Sequence, residues 1–90
     1  MDIHFTKHAN EKFDVLLRHG VRISKKKVVD TIENPETVDY KQTPLLIAQS
    51  SFGKNRVLRV VYRNYKNFVM IITFYPGKKS QYEKKEFNKN

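Results

Sequence analysis

The residues best suited to chemistry in this sequence are a histidine, an arginine and a tyrosine. Residues of these types can supply a base, a cation for a phosphate group and a proton donor, which are the groups that metal-free cleavage of a phosphodiester requires. His8 falls in the first turn of a predicted helix, where the dipole disfavours the imidazolium ion and favours a neutral, proton-accepting ring. Arg59 interrupts the apolar run RVLRVVY, and Tyr75 ends the apolar run VMIITFY. We therefore take His8 as the candidate base, Arg59 as the phosphate clamp, and Tyr75 as the proton donor or base-stacking group.

Each of these residues also has a structural interpretation. His8 would then be a histidine hydrogen-bonded near the helix start, Tyr75 an aromatic residue at the rim of the core, and Arg59 part of a solvated arginine row. His4 and His8 lie four residues apart, but a strand-to-helix junction separates them and no Asp or Glu pattern accompanies them. We predict no metal site and no cofactor. The absence of cysteine excludes disulfides, thiolate catalysis and zinc–thiolate clusters.

The charge of the chain points to a polyanionic partner. It carries 18 Lys+Arg against 9 Asp+Glu, a formal net charge of +9 on 90 residues, and its pI is about 9.9. A surplus this large gives a positive potential over much of the surface. RNA is the first candidate partner, ahead of an anionic membrane surface or an acidic protein. The residues predicted to bind nucleic acid are Lys7, Arg56, Arg63, Lys78 and Lys79.

The pattern of apolar residues predicts an α+β fold in a single domain, 1–90. A short strand at residues 2–5 precedes a helix from Lys7 to about His19, capped by Thr6. A second helix from Lys25 to about Glu33 is capped by Ser24 and stopped by Asn34-Pro35. We expect both N-terminal helices to pack on one face of a curled antiparallel four-stranded sheet, with the short N-terminal strand as an extra.

The four main strands occupy the second half of the chain. Two are predicted at 36–41 and 44–50, and the segment 55–75 reads as a hairpin around the turn Asn64-Tyr65-Lys66-Asn67. The basic tail, 76–90, breaks the hairpin at Pro76-Gly77 and is predicted to form a short helix around 79–87. The chain shows no signal peptide and no run near the ~20 apolar residues of a membrane span, so a cytoplasmic protein is expected.

The register of the hairpin decides which arginine meets Tyr75. Pairing Arg63 with Phe68 across the turn places Arg59 opposite Ile72 and Arg56 opposite Tyr75. This register predicts Arg56, rather than Arg59, as the neighbour of Tyr75. A bulge would change which side chains share a face of the hairpin. Both faces of the hairpin are largely apolar, so its sequence leaves open which face the helices cover.

Several segments of the chain, taken in their order along the sequence, resemble the RelE-like toxin fold. The resemblance is closer to BrnT-type toxins and to a related family of small uncharacterised domains. The segments are FTKHANEKF, RHGVRIS, VVDTIENPETV, RVLRVVY and VMIITFYPGKK. The resemblance implies a metal-independent ribonuclease that cleaves mRNA, free or ribosome-bound, and is held inactive by a cognate antitoxin protein. It also places a histidine at position 8. The chain has no arginine immediately after Tyr75, which argues more against ribosome dependence than against RNA binding. The alternative is a non-catalytic basic module that binds nucleic acid or protein, such as a mobile-element or phage accessory protein.

Overall fold

A computed structural model describes residues 2–82 of the chain. Its elements, in chain order, are β1 (Asp2–Phe5), α1 (Lys7–Arg18), α2 (Lys25–Glu33), β2 (Thr37–Asp39), β3 (Leu45–Ser51), β4 (Arg56–Asn64) and β5 (Phe68–Lys78). Residues 79–82 form a C-terminal helical turn. The predicted tail helix began at this point, and the rest of that prediction lies outside the described residues.

The strands form one mixed sheet of five, in the order β1-β5-β4-β3-β2. The expected α+β class is confirmed, but the sheet is not the purely antiparallel four-stranded sheet that we expected. β1 joins it at the edge and runs parallel to β5, with Ile3 beside Val69 and Phe5 beside Ile71. The parallel arrangement is possible because α1, α2 and strands β2 to β4 all lie between β1 and β5 in the chain, which is far more than the dozen or so residues that a parallel pair needs.

Both helices begin where the sequence predicts. The Thr6 hydroxyl accepts from Ala9 N at 3.0 Å and donates to the carbonyl of Ile72 at 3.0 Å, which joins the start of α1 to β5. The Ser24 hydroxyl accepts from Lys27 N at 3.0 Å at the start of α2. Helix α1 ends just before Gly20, whose φ of +82° is a conformation that glycine adopts without strain.

The two helices cover one face of the sheet, which we call the helix face. Leu58 and Val60 of β4 and Ile71 and Phe74 of β5 are fully buried there. Phe13 of α1 packs against Phe74 with ring centroids 4.6 Å apart. Because side chains alternate along a strand, Arg59 and Tyr75 point to the opposite side, which we call the open face.

The predicted register of the hairpin is wrong. Asn64 pairs with Val69 at the turn, and a bulge between Val61 and Tyr62 leaves Ile72 without a partner on β4. The two effects together shift the pairing by an odd number of residues, so Tyr75 lies opposite Arg59 and not opposite Arg56. Arg56 instead pairs with Lys78.

Strand β5 also continues through Pro76 and Gly77, where we expected a break. Its pairing with β1 covers only Phe68 to Ile71, so Pro76 lies where β5 forms an edge of the described sheet. Proline is tolerated at such an edge because its missing N–H is not required by a second neighbouring strand. No described helix is long and apolar enough to cross a membrane.

Candidate functional site on the open face of the sheet

Arg59 stands at the centre of a polar network on the open face. Its Nε donates to the Tyr75 hydroxyl at 3.1 Å, and its Nη1 donates to Gln49 Oε1 at 2.5 Å. Its Nη2 lies 3.6 Å from Asp39 Oδ2. The side chains come from four adjacent strands, β2 to β5, because the register aligns Gln49, Arg59 and Tyr75 across the sheet. The network therefore depends on the pairing of the whole sheet.

The C-terminal helical turn covers this network. The Tyr82 ring lies over the Arg59 guanidinium, with 4.1 Å between Cζ and the ring centroid. Gly77 provides the space for this ring, since a Cβ at that position would collide with the Tyr82 side chain. Lys79 N also donates to the carbonyl of Asn55 at 2.9 Å. As a result Arg59 is only 8 % exposed, and its charge is balanced by Asp39 rather than presented to solvent.

A groove of about 780 Å³ lies beside the network, along strand β2. It is lined by Arg59, Gln49 and Asp39 of the network and by Lys79 and Tyr82 of the C-terminal turn. The remaining lining residues are Glu36, Thr37, Val38, Tyr40 and Lys41. Both charge signs are present, so the groove is not a simple anion pocket.

The chemistry available here is limited by the existing contacts. The Tyr75 hydroxyl accepts from Arg59, so its own proton remains available to donate to a ligand. The Arg59 guanidinium has five N–H groups, and the three contacts of its nitrogens leave others that a phosphate in the groove could engage. A phosphate would nevertheless compete with Asp39. Arg59 thus has a structural role and also lines the groove.

The three residues proposed for catalysis do not come together. Arg59 and Tyr75 are in direct contact, but His8 is exposed on α1, which packs on the helix face. The neighbouring Ala9 is completely buried in the helix-side core, so the sheet separates His8 from the Arg59 network. The structure therefore joins the cation and the donor and leaves the candidate base on the other side of the sheet.

The predicted nucleic-acid contacts are spread over the surface. Lys7, Arg56, Arg63 and Lys78 are exposed, and Lys79 is half-buried. Arg56 and Lys78 line a second depression, of about 510 Å³, at the end of the hairpin remote from its turn. Arg63 lies at the turn end of β4.

The sequence did not indicate that Gln49, Asp39 and Tyr82 belong to the network. Gln49 is a polar residue in the strand LLIAQSS, and its 4 % exposure identifies it as a buried hydrogen-bonding group. A polar residue in an apolar strand is a signal that could have been used, since a buried polar group needs a partner. Asp39 and Tyr82 carry no comparable signal, because only the strand pairing and the C-terminal turn bring them to Arg59.

Residues 2–82 contain no group of three or more His, Cys, Asp or Glu side chains that could hold a metal ion. Comparison with known proteins found no matching family model, no matching curated protein and no matching solved structure.

Proposed function

We propose that this chain is an RNA-binding protein with a RelE-like architecture. One observation carries this proposal: the positive charge is hardly neutralised within the fold. Over residues 2–82 the only ion pair within 4.0 Å is Arg59–Asp39. A surplus of exposed cations attracts polyanions and releases counterions when they bind.

Exposed cations lie at both ends of the β4–β5 hairpin and at the start of α2, so RNA can approach the protein at more than one place. Arg56 and Lys78 lie at one end of the β4–β5 hairpin, and Arg63 lies at the other. The nine residues of β4 extend over roughly 30 Å. Lys25 and Lys26 are exposed at the first turn of α2, where they oppose the helix dipole, so a bound phosphate would relieve an unfavourable charge arrangement.

Binding to a 16-nucleotide RNA at several salt concentrations tests this proposal. We expect affinity to fall steeply with salt, and Arg56→Gln to weaken binding and reduce the slope of log K against log salt by about one. Arg18→Gln, the same charge change at the exposed end of α1, is the matched control and should leave the slope unchanged. No binding at low salt, or equal effects of the two variants, would contradict the proposal.

A second candidate function is metal-independent cleavage of RNA by the toxin of a toxin–antitoxin pair. The specific observation in its favour is the contact between Arg59 Nε and the Tyr75 hydroxyl, which places a cation beside a proton donor. In this proposal the Asp39 carboxylate, which lines the groove beside Arg59, accepts the proton of the 2′-hydroxyl as its oxygen attacks the phosphorus. Tyr75 protonates the departing 5′-oxygen, and Arg59 holds both Tyr75 and the phosphate. His8 lies beyond the sheet and takes no part at this centre.

The test incubates purified protein with RNA in chelator, with and without ribosomes, and measures products ending in 2′,3′-cyclic phosphate. Tyr75→Phe keeps the ring and removes the hydroxyl, so we expect cleavage to fall by about 10²- to 10⁴-fold. His8→Ala should cleave normally, and circular dichroism checks that both variants are folded. No cleavage by wild type, or loss in His8→Ala with normal cleavage by Tyr75→Phe, would refute a centre at Arg59 and Tyr75.

A further inference from the structure

A row of exposed π systems lies at the turn end of the hairpin, separate from the Arg59 network. The Tyr65 ring stacks on Phe68 with centroids 4.8 Å apart and planes 10° apart. The Arg63 guanidinium lies over the Tyr65 ring at 5.2 Å, and the His4 ring meets Phe68 edge-on, also at 5.2 Å. We call these four residues the aromatic ladder.

The fold holds the ladder in place through backbone pairing. Tyr65 N donates to the carbonyl of Phe68 at 2.8 Å and closes the turn between β4 and β5. His4 belongs to β1, which pairs in parallel with β5. Arg63, Phe68 and His4 all alternate with helix-face residues, so they share the open face. The ladder is therefore preorganised on the sheet.

The exposure and charge of the ladder distinguish it from ordinary core packing. Tyr65 is 44 % exposed, so part of its ring is accessible to a ligand. Lys66 follows it directly in the turn, and Arg63 adds a second exposed cation. Among residues 2–82, Asp2 is the one carboxylate that strand pairing brings to this end, opposite Phe68. A ligand with flat aromatic groups and negative charge fits this surface.

We infer that the aromatic ladder is a stacking site for unpaired bases of single-stranded RNA. This inference rests on the proposed RNA binding and adds the form of RNA that is recognised. Bases in a duplex are already stacked on one another, whereas unpaired bases can lie against tyrosine, phenylalanine or arginine planes. Phe68 and the Arg63 guanidinium already lie against the Tyr65 ring, so a base that stacks there takes the place of the guanidinium. Arg63 then contacts a neighbouring phosphate together with Lys66.

The experiment compares a single-stranded RNA with the same strand annealed to its complement. Stacking on an aromatic side chain is lost on substitution by alanine, so Tyr65→Ala should weaken single-strand binding by roughly 5- to 150-fold. Because no charge changes, the salt slope should stay the same. Tyr65→Phe, which keeps the ring, should bind as wild type does.

Leu17→Ala is the matched control, because Leu17 is 45 % exposed, close to the 44 % of Tyr65, and belongs to α1, which packs on the other face of the sheet. We expect this variant to bind RNA normally. Unchanged binding by Tyr65→Ala, an equal loss in Leu17→Ala, or equal wild-type affinity for both RNA forms would overturn the ladder site and leave the proposed RNA binding standing. Failure of the wild-type protein to bind any RNA would overturn both.

Discussion

At the scale of single residues, Arg59 shows how a buried charge is tolerated in this fold. Three of its nitrogens have polar partners, and the Tyr82 ring covers its face. Burying a charge is costly, and the cost is offset only when hydrogen bonds and an opposite charge replace water. Removing the arginine would leave Gln49 buried and Asp39 partly buried without their partner.

We expect Arg59→Ala to destabilise the protein by about 2–3 kcal/mol, because one member of a largely buried ion pair is removed. For a domain of this size that corresponds to a fall in Tm of about 10 °C or more. Arg63→Ala removes an exposed arginine from the same strand and should change stability by no more than about 0.5 kcal/mol. Thermal unfolding of both variants measures the difference. Equal Tm values would show that the Arg59 network contributes little to stability.

At the scale of elements, the short strand β2 depends on one side chain at its start. Glu36 accepts from Ser51 N at 2.8 Å and from the Ser51 hydroxyl at 3.1 Å, while its own N–H donates to the carbonyl of Gln49 at 2.8 Å. These bonds hold β2 against β3, and β2 in turn supplies Asp39 to Arg59. The Glu36 carboxylate therefore helps to hold β2, and with it Asp39, in place beside the groove.

The hydrogen bond from Ser51 N lowers the pKa of Glu36 below 4.5, with help from the Ser51 hydroxyl and the positive charges of Lys79 and Lys27, against the opposing effect of burial. Since the folded pKa is depressed, the carboxylate stabilises the fold above pH 4.5 and loses this effect as the pH falls through the lowered pKa. Glu36→Gln should thus be less stable than wild type at pH 7 and approach it in acid.

Urea unfolding of wild type and Glu36→Gln at pH 7 and at several values below pH 4.5 measures this change. Glu33→Gln, the same substitution at an exposed position of α2, is the control. The stability difference between Glu36→Gln and wild type should shrink as the pH falls. A constant difference would show that ionisation of Glu36 does not contribute to folding stability.

At the scale of the whole molecule, one sheet separates two different surfaces. The helix face buries the core and carries His8 at its periphery, and the open face carries the Arg59 network and the aromatic ladder. Half-exposed apolar residues, among them Ile47, Val61 and Met70, also lie on the open face. On the proposed toxin function, an antitoxin with acidic and apolar residues would cover this face.

If the chain acts as a toxin, its expression alone should slow bacterial growth, and co-expression of the neighbouring gene should restore growth. Tyr75→Phe, produced at the same level, should be much less inhibitory because it lacks the proposed proton donor. Growth curves with protein levels measured by immunoblot test this prediction. Normal growth at high levels of wild-type protein would argue against a toxin and leave the RNA-binding proposal in place.

The sequence by itself determined the local structure of this protein. The caps at Thr6 and Ser24 set the starts of the helices, because a hydroxyl before an amphipathic stretch accepts from amides of the first turn. The alternation of apolar residues predicted the hairpin and the α+β class. The excess of basic over acidic residues predicted a polyanionic ligand, because the net charge of a chain does not depend on how the chain folds.

The tertiary structure alone decided which residues meet. Tyr75 lies opposite Arg59, and not opposite Arg56, because of the bulge in the hairpin and the residues that pair at its turn. Together these shift the pairing by an odd number of residues, and such a shift moves a side chain to the other face of a sheet. The parallel pairing of β1 and the cover provided by Tyr82 likewise depend on contacts between distant parts of the chain. Local patterns specify helices and strands, whereas a site depends on register, and register is settled by the packing of the whole sheet.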